Sequence, residues 1–347
     1  MDRRTLGSTE WDVTEVGLGT WNIGGDWGNV TEEEGRDAVR AALDEGVNFV
    51  DTADVYGDGR SERIIREVVD GYDTDERVYV ATKVGRRLDP HTADRYTAEN
   101  LRDHVDRSRE YLGEETLDLV QLHCPPTDVY YRPEVFEALE EFKDDGRIDH
   151  YGVSVERVEE GLKAIEYPGG SRERSSDSHA RTDGSRGVET VQIVFNPFRQ
   201  RPADLFFERA KEKDVGVIVR VPLASGLLTG KLSRDTEFPE NDHRNFNRDG
   251  EAFDVGETFS GVPFETGLDA VDELRPAVPE SATMAQYTLR WILDHDAVST
   301  VIPGSTSPEH IRDNVAAADL PAPSEEERAT VDEVYEEHVR EHVHHRW

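Results

Sequence analysis

Eight short apolar runs, each followed by a stretch with helical periodicity, leave this chain few architectures to adopt. The runs are EVGLGT (15–20), NFVD (48–51), VYVATK (78–83), LDLVQLH (117–123), RIDHYGVSV (147–155), TVQIVFN (190–196), VGVIVRVP (215–222) and VSTVIP (298–303). Helical candidates fall near 31–45, 60–70, 97–112, 133–144, 156–166, 202–213, 281–294 and 307–317. Several open with good first-turn chemistry. Thr31 precedes Glu32, Glu33 and Glu34, and Ser307 precedes Pro308. Eight strand–helix units predict an α/β chain folded as a (β/α)8 TIM barrel, typically ~250 residues in size. A Rossmann sheet is the rival. GLGTWNIGG lacks the G-x-G-x-x-G spacing before a helix, and WNIGGDWGNV reads as a long aromatic loop rather than a tight phosphate turn.

The chain has 347 residues, so it carries additions to a minimal barrel. We expect one barrel domain over 1–347. Residues 1–14 read as an N-terminal hairpin covering the barrel bottom. Residues 168–188, PGGSRERSSDSHARTDGSRGV, are polar and low in complexity, and read as a disordered surface insertion. Residues 233–265 form a long loop after the seventh strand. It is rich in glycine, charge and phenylalanine, and it lies on the side of the barrel where loops carry function. A C-terminal helix at 324–341 and the tail HVHHRW make up 324–347.

Composition removes several function classes. Forty basic residues stand against 75 acidic ones, a net charge of −35, and only six of the basic residues are lysine. Such an acidic surface repels phosphates, which argues against nucleic acid as a partner. It suits a halophilic protein, because at molar salt the Debye length is about 3 Å and self-repulsion is screened. No stretch approaches the ~20 apolar residues of a membrane span, so no membrane role is expected. MDRRTLGSTEWDV has no apolar core after its arginines, so no signal peptide is read there. One cysteine, Cys124, allows no internal disulfide. The expected location is cytoplasmic.

Four residues carry the chemistry. Asp51 ends the second run, Lys83 ends the third and His123 ends the fourth. Tyr56 follows five residues after Asp51, in the loop DTADVYGDGRSE. In a barrel these strand ends meet at one mouth. A tyrosine is a weak acid with pKa about 10. A nearby lysine lowers that value, and a carboxylate keeps the lysine charged. An imidazole can then bind a carbonyl oxygen as charge develops on it. Each residue alone has an ordinary structural reading; three of them at adjacent strand ends are hard to obtain by chance. Cys124 alternates to the other face of its strand and reads as packing.

The stretches DTADVYGDGRSE, ATKVG, LVQLHCP, GRIDHYGVSV, QIVFNPF, VRVPLASGLLTGKL and VIPGSTSPEHIRDN occur in that order. Together they resemble the aldo-keto reductase superfamily over residues 4 to 318. The resemblance implies Tyr56 as general acid, Lys83 and Asp51 as the pair that tunes it, and His123 as the group that orients the carbonyl. It implies a nicotinamide cofactor and no metal. Ser154 and Gln192 match positions that bind the nicotinamide carboxamide, with Val155 where asparagine is frequent. Arg220 stands where the family often stacks an aromatic ring on the nicotinamide. Leu223, Ser225, Gly226, Leu228 and Lys231 match the loop over the pyrophosphate. Gly304, Ser305, Thr306, His310, Asp313 and Asn314 match the segment that holds the adenosine end. The family favours NADP(H) over NAD(H). Here Gly304 and His310 replace its usual lysine and arginine, so only weak discrimination is expected, carried by Ser305 and Thr306.

For the substrate, Trp21 and Trp27 are expected at the pocket wall and rim, and Tyr130 at another wall. No cluster of basic residues marks an anionic substrate, so a neutral sugar, aldehyde or small ketone is expected. His338, His342 and His345 share a helical face; an ordinary polar helix end outweighs metal binding there. A further reading folds the tail toward the mouth so that Trp347 lines the pocket. The leading activity is reduction of aldehydes, ketones or sugars. Sugar dehydrogenation by the same residues is the alternative. A slow nucleotide-binding regulatory subunit is another, against which the intact tetrad argues. Low salt should destabilise the chain. The unfolding midpoint is expected to rise steadily from dilute buffer to molar KCl, and a salt-independent midpoint would refute salt adaptation.

Overall fold

The computed structural model describes residues 1–25, 27–166 and 187–347. Strands β1 (Arg3–Thr5) and β2 (Asp12–Thr14) form an antiparallel hairpin. Eight parallel strands follow: β3 (Leu18–Gly19), β4 (Phe49–Asp51), β5 (Tyr79–Val84), β6 (Leu117–His123), β7 (Ile148–Ser154), β8 (Thr190–Val194), β9 (Gly216–Arg220) and β10 (Val298–Val301). Each falls on one of the eight apolar runs, β5 extending one residue past its run to Val84, and pairs with the next. The ring closes where Val16 and Gly19 pair in parallel with Val301 and Gly304. At that seam the Gly17 N–H donates to the Val301 carbonyl at 2.9 Å. The result is the expected (β/α)8 barrel.

The hairpin covers the N-terminal end of the barrel. Leu6 and Val13 meet Phe49, Ala81, Leu119, Ile218 and Ile302 in a plug separate from the main core. Burying a leucine-sized side chain in this way contributes about 1.5–3 kcal/mol. Asn48 fastens the hairpin by accepting from the Thr14 N–H at 2.7 Å and donating to the Asp12 carbonyl at 2.9 Å.

The helices form the outer layer because their apolar positions recur at helical spacing. In Ala98–Leu112 the buried residues are Leu101, Val105, Ser108 and Leu112, a single stripe. Thr97 caps its start and Gly113, in the left-handed region, ends it. Thr31 and Glu34 form a reciprocal capping box at the first long helix, as its glutamate-rich start suggests.

Two expectations need amendment, and a third falls mostly outside the described residues. The loop 233–265 contains a short helix, His243–Phe246, and two tight turns, Val255–Glu257 and Phe259–Gly261. It then runs into a helix, Phe264–Leu274, that the eight-unit reading lacks. Its buried Leu268, Val271 and Leu274 have helical spacing, which the preceding glycine-rich sequence masks. The expected helix at 324–341 is Glu325–Val334, followed by a wider π turn, Tyr335–Val339, and a last turn, Arg340–Val343. The insertion expected at 168–188 lies outside the described residues up to 186. The chain rejoins the barrel where the Gly187 N–H donates to Glu140 at 2.9 Å. No helix among the described residues is long and apolar enough to cross a membrane.

Candidate active site

The C-terminal ends of β4, β5 and β6 bring Asp51, Lys83 and His123 side by side, all buried. Lys83 Nζ donates to Asp51 Oδ2 at 2.6 Å and to the Thr52 carbonyl at 2.8 Å. The loop after β4 sets the Tyr56 hydroxyl 3.4 Å from the same ammonium. Asp51 Oδ1 accepts from Gln192 at 2.7 Å and from Gln121 at 3.3 Å. The Tyr56 and His123 rings meet edge to face, with centroids 5.8 Å apart. Trp21 stacks on Tyr56 from the cavity side at 6.4 Å.

Burial opposes the Lys83 charge, but Asp51 and Tyr56 outweigh it and hold the ammonium above its ordinary range. His123 is driven well below the ordinary imidazole range, first by burial and then by Arg86, Lys83 and Arg220. It is therefore neutral. For Tyr56 the expected direction reverses. Burial raises its pKa and outweighs the lowering by Lys83, with Asp51 and Glu257 adding to the rise. The phenol is thus held protonated, a donor rather than a base.

Beside the tetrad lies a charged cluster that sequence reasoning missed. Arg220, at the end of β9, donates to Glu156 Oε2 at 2.9 Å and to the Val155 carbonyl at 3.0 Å. Arg86, just past β5, donates to Glu257 Oε1 at 2.9 Å. Glu257 also lies 3.6 Å from Arg220. Cys124 belongs here, contrary to its packing role. Its φ of +44° breaks the strand alternation and turns the thiol inward, 3.6 Å from Ser154 Oγ. Burial pushes the thiol well above its usual range, so it is no nucleophile. Cys124, Glu156 and Glu257 converge as metal ligands would, yet Arg220 reaches both Cys124 Sγ (3.5 Å) and Glu156 and supplies the positive charge. Burial, opposed by Arg220 and reinforced by Glu257, pushes the Glu156 carboxyl up to about 8. Burial also acts on Glu257, but Arg86 and Arg220 overcome it and hold that group at about 2.

A cavity of about 360 Å³ runs from this cluster to the helix Pro308–Ala316. Trp21, Trp27, Asp51, Tyr56 and His123 line it, as do Ser154, Gln192, Arg220, Leu223, Ser225, Gly226 and Lys231. Gly304, Ser305, His310, Asp313 and Asn314 line its far end. Besides Lys83, which is buried and reaches Tyr56 at 3.4 Å, four expected residues do not. Leu228 is packed in the core, and Thr306 sits behind Ser305 in the chain but outside the lining. Tyr130 is wholly buried. Trp347 is buried under the 254–261 turns, where its indole N–H donates to Asp254 at 2.9 Å. Two cationic features suit a dinucleotide. Lys231 Nζ lies 3.3 Å from His310 Nε2, and no carboxylate among the described residues pairs with it. Arg244, from the loop after β9, also lines the cavity. Nothing local in the sequence marked Arg244, because its place depends on how the long loop folds back.

The sequence model of the Aldo/keto reductase family matches residues 15–336, and the chain belongs to that family. The aldo-keto reductase YhdN of Bacillus subtilis is 27% identical, over 89% of this chain and 86% of that protein. The NADH-specific methylglyoxal reductase of Escherichia coli is also 27% identical, over 92% and 94%. Among solved structures, the glycerol dehydrogenase AKR11B4 of Gluconobacter oxydans superposes with a TM-score of 0.74. Its identity is 26%, over 97% of this chain and 96% of that one. The family makes this an NAD(P)-dependent oxidoreductase acting on small carbonyl compounds.

Glu156 holds its proton more tightly folded than unfolded. The stability this adds is complete below the ordinary carboxylate range and is lost as pH rises through about 8. Glu156→Gln keeps the neutral form at every pH. Its unfolding midpoint should therefore gain on the native chain between about pH 5 and about pH 8 and level off above that, read by thermal denaturation at fixed salt. A pH-independent difference would mean that Glu156 is ionised in the fold.

Proposed function

We propose that the chain reduces aldehydes, ketones or neutral sugars with NAD(P)H, with Tyr56 as general acid. The observation that carries this reading is the Tyr56 hydroxyl, 3.4 Å from Lys83 Nζ and facing the cavity beside neutral His123. The bound cofactor supplies a hydride to the carbonyl carbon. Tyr56 Oη gives its proton to the carbonyl oxygen. Lys83 stabilises the phenolate left behind, and Asp51 holds Lys83 in place. The neutral imidazole of His123 orients the carbonyl as a hydrogen-bond donor. Ser154, Gln192 and Arg220 serve the nicotinamide end, Ser225, Gly226, Lys231 and Arg244 the phosphates, and Ser305, His310, Asp313 and Asn314 the adenosine end.

The direction of the Tyr56 shift favours reduction over sugar dehydrogenation. A phenol with a raised pKa stays protonated at neutral pH, so the proton donor that reduction needs is populated and the phenolate base that oxidation needs is not. Carbonyl reduction should keep its rate between about pH 7 and about pH 9, while alcohol oxidation should climb over the same range. A reductive limb falling near neutrality would refute this. Tyr56→Phe should lower kcat by roughly 10²–10⁴-fold with cofactor affinity nearly unchanged. Near-native kcat would assign the acid elsewhere.

NADP(H) is the proposed cofactor, with weak preference over NAD(H). Lys231 supplies a cation for phosphate, Arg244, paired with Asp242 at 2.6 Å, adds guanidinium donors, and Ser307 caps the helix whose N-terminus faces the same end. The ratio of kcat/KM for NADPH over NADH should stay below about a thousandfold, near 4 kcal/mol. Arg244→Ala should reduce that ratio if its guanidinium reaches the 2′-phosphate, and should lower both values equally if it reaches only the pyrophosphate.

A further inference from the structure

Two guanidinium groups converge beside the catalytic tetrad, and a carboxylate already stands between them. Arg86 and Arg220 come from the ends of β5 and β9, on opposite sides of the barrel mouth. Glu257, from the loop after β9, accepts from Arg86 at 2.9 Å and lies 3.6 Å from Arg220. It lines the cavity together with Tyr56 and His123. We propose that Glu257 is the charge filter of the substrate site: its carboxylate fills the anion position that Arg86 and Arg220 create, so the cavity accepts neutral carbonyl compounds and rejects those bearing a carboxylate. This rests on the carbonyl-reductase reading and assigns the basis of its substrate class.

The charge balance at this point explains the effect. Arg86 and Arg220 bring two positive charges. Glu156 and Cys124, which also touch Arg220, are held protonated, so Glu257 is the one anion among these groups, neutralising one of the two charges and occupying the position between them. Glu257 and Arg220 both line the cavity, so a substrate carboxylate drawn toward Arg220 also meets that anion, while Arg86 stands behind it, outside the lining. Removing the anion leaves two partly desolvated guanidinium groups, an arrangement suited to bidentate recognition of a carboxylate.

Glu257 is not free to swing aside. Its N–H donates to the Asp254 carbonyl at 3.1 Å, and its own carbonyl accepts from Ser225 Oγ at 3.1 Å. Trp347 fixes the turns from beneath. The indole N–H holds Asp254, and the Arg199 guanidinium lies 4.2 Å over the ring. A Cβ added at Gly256 or Gly261 would come within 2.8 or 2.5 Å of the indole, so only glycine lets the turns approach it. Trp347 is thus a positioning residue for Glu257 rather than a wall of the pocket.

The test compares the native chain, Glu257→Gln and Trp347→Ala at one fixed KCl concentration, using 4-nitrobenzaldehyde and 4-carboxybenzaldehyde. The native chain should favour the nitro compound by about tenfold or more in kcat/KM, and Glu257→Gln should cut that ratio by about tenfold, mainly through KM of the charged aldehyde. Trp347→Ala should move the ratio the same way by less, and it carries the comparison if Glu257→Gln does not fold. Tryptophan fluorescence titration without cofactor gives an independent readout. Benzoate should bind Glu257→Gln about tenfold more tightly than the native chain, with benzamide binding equally to both. Equal benzoate affinity in a folded variant, or a native chain that takes both aldehydes alike, overturns the charge filter. A native chain that reduces no aldehyde, yet whose Glu257→Gln variant gains benzoate affinity, overturns the reductase reading instead.

Discussion

An ammonium and a carboxylate 2.6 Å apart, 1% and 3% exposed, would each be costly to bury alone, by several kcal/mol per ion. Burial becomes tolerable here because every remaining valence is used. Lys83 also donates to the Thr52 carbonyl and to Tyr56, while Asp51 accepts from Gln192 and Gln121. These partners sit on four strands or the loops that follow them. Strand register and charge satisfaction are therefore one constraint. A slip in β5 would move Lys83 away from Asp51 and leave two unpaired charges inside the barrel. The position of Tyr56, and hence the proposed proton transfer, depends on that pair.

The rest of the cavity keeps its charges in check. His123 is neutral because burial and three nearby cations disfavour its protonation. Tyr56 stays protonated because its burial outweighs the pull of Lys83. Glu257 and Glu156 share two arginines, and the electrostatic cost of two buried anions is avoided by keeping one carboxyl protonated. The same principle separates the two ends of the cavity. Near the tetrad each arginine has a carboxyl partner. Toward the helix Pro308–Ala316, Lys231 has no carboxylate partner among the described residues, which suits the phosphate contact proposed for it.

Much of this was legible in the order of residues. The barrel follows from eight apolar runs alternating with helical stretches, and each run holds a strand. Asp51, Lys83 and His123 could be placed because each closes a run, and strand ends in a barrel share one face. Trp21 and Trp27 follow the same rule. The hairpin was legible from its length and its position ahead of the first run, and its plug is built by the alternation of Leu6 and Val13.

What the sequence determined by itself was therefore the architecture and the tetrad, since both depend on local periodicity and on which strand a residue ends. What only the tertiary structure decided was whatever depends on contacts between distant segments. Arg86 and Glu257 are 171 residues apart, and Trp347 meets Asp254 across 93. Tyr130 and Trp347 look like pocket aromatics by chain position, yet packing buries both away from the cavity. Cys124, just past β6 with a positive φ, contacts Arg220 and Ser154, which strand alternation did not indicate. Even the direction of the Tyr56 shift was beyond sequence reasoning. A neighbouring cation can be read from strand order, but the desolvation that outweighs it is a property of the closed site.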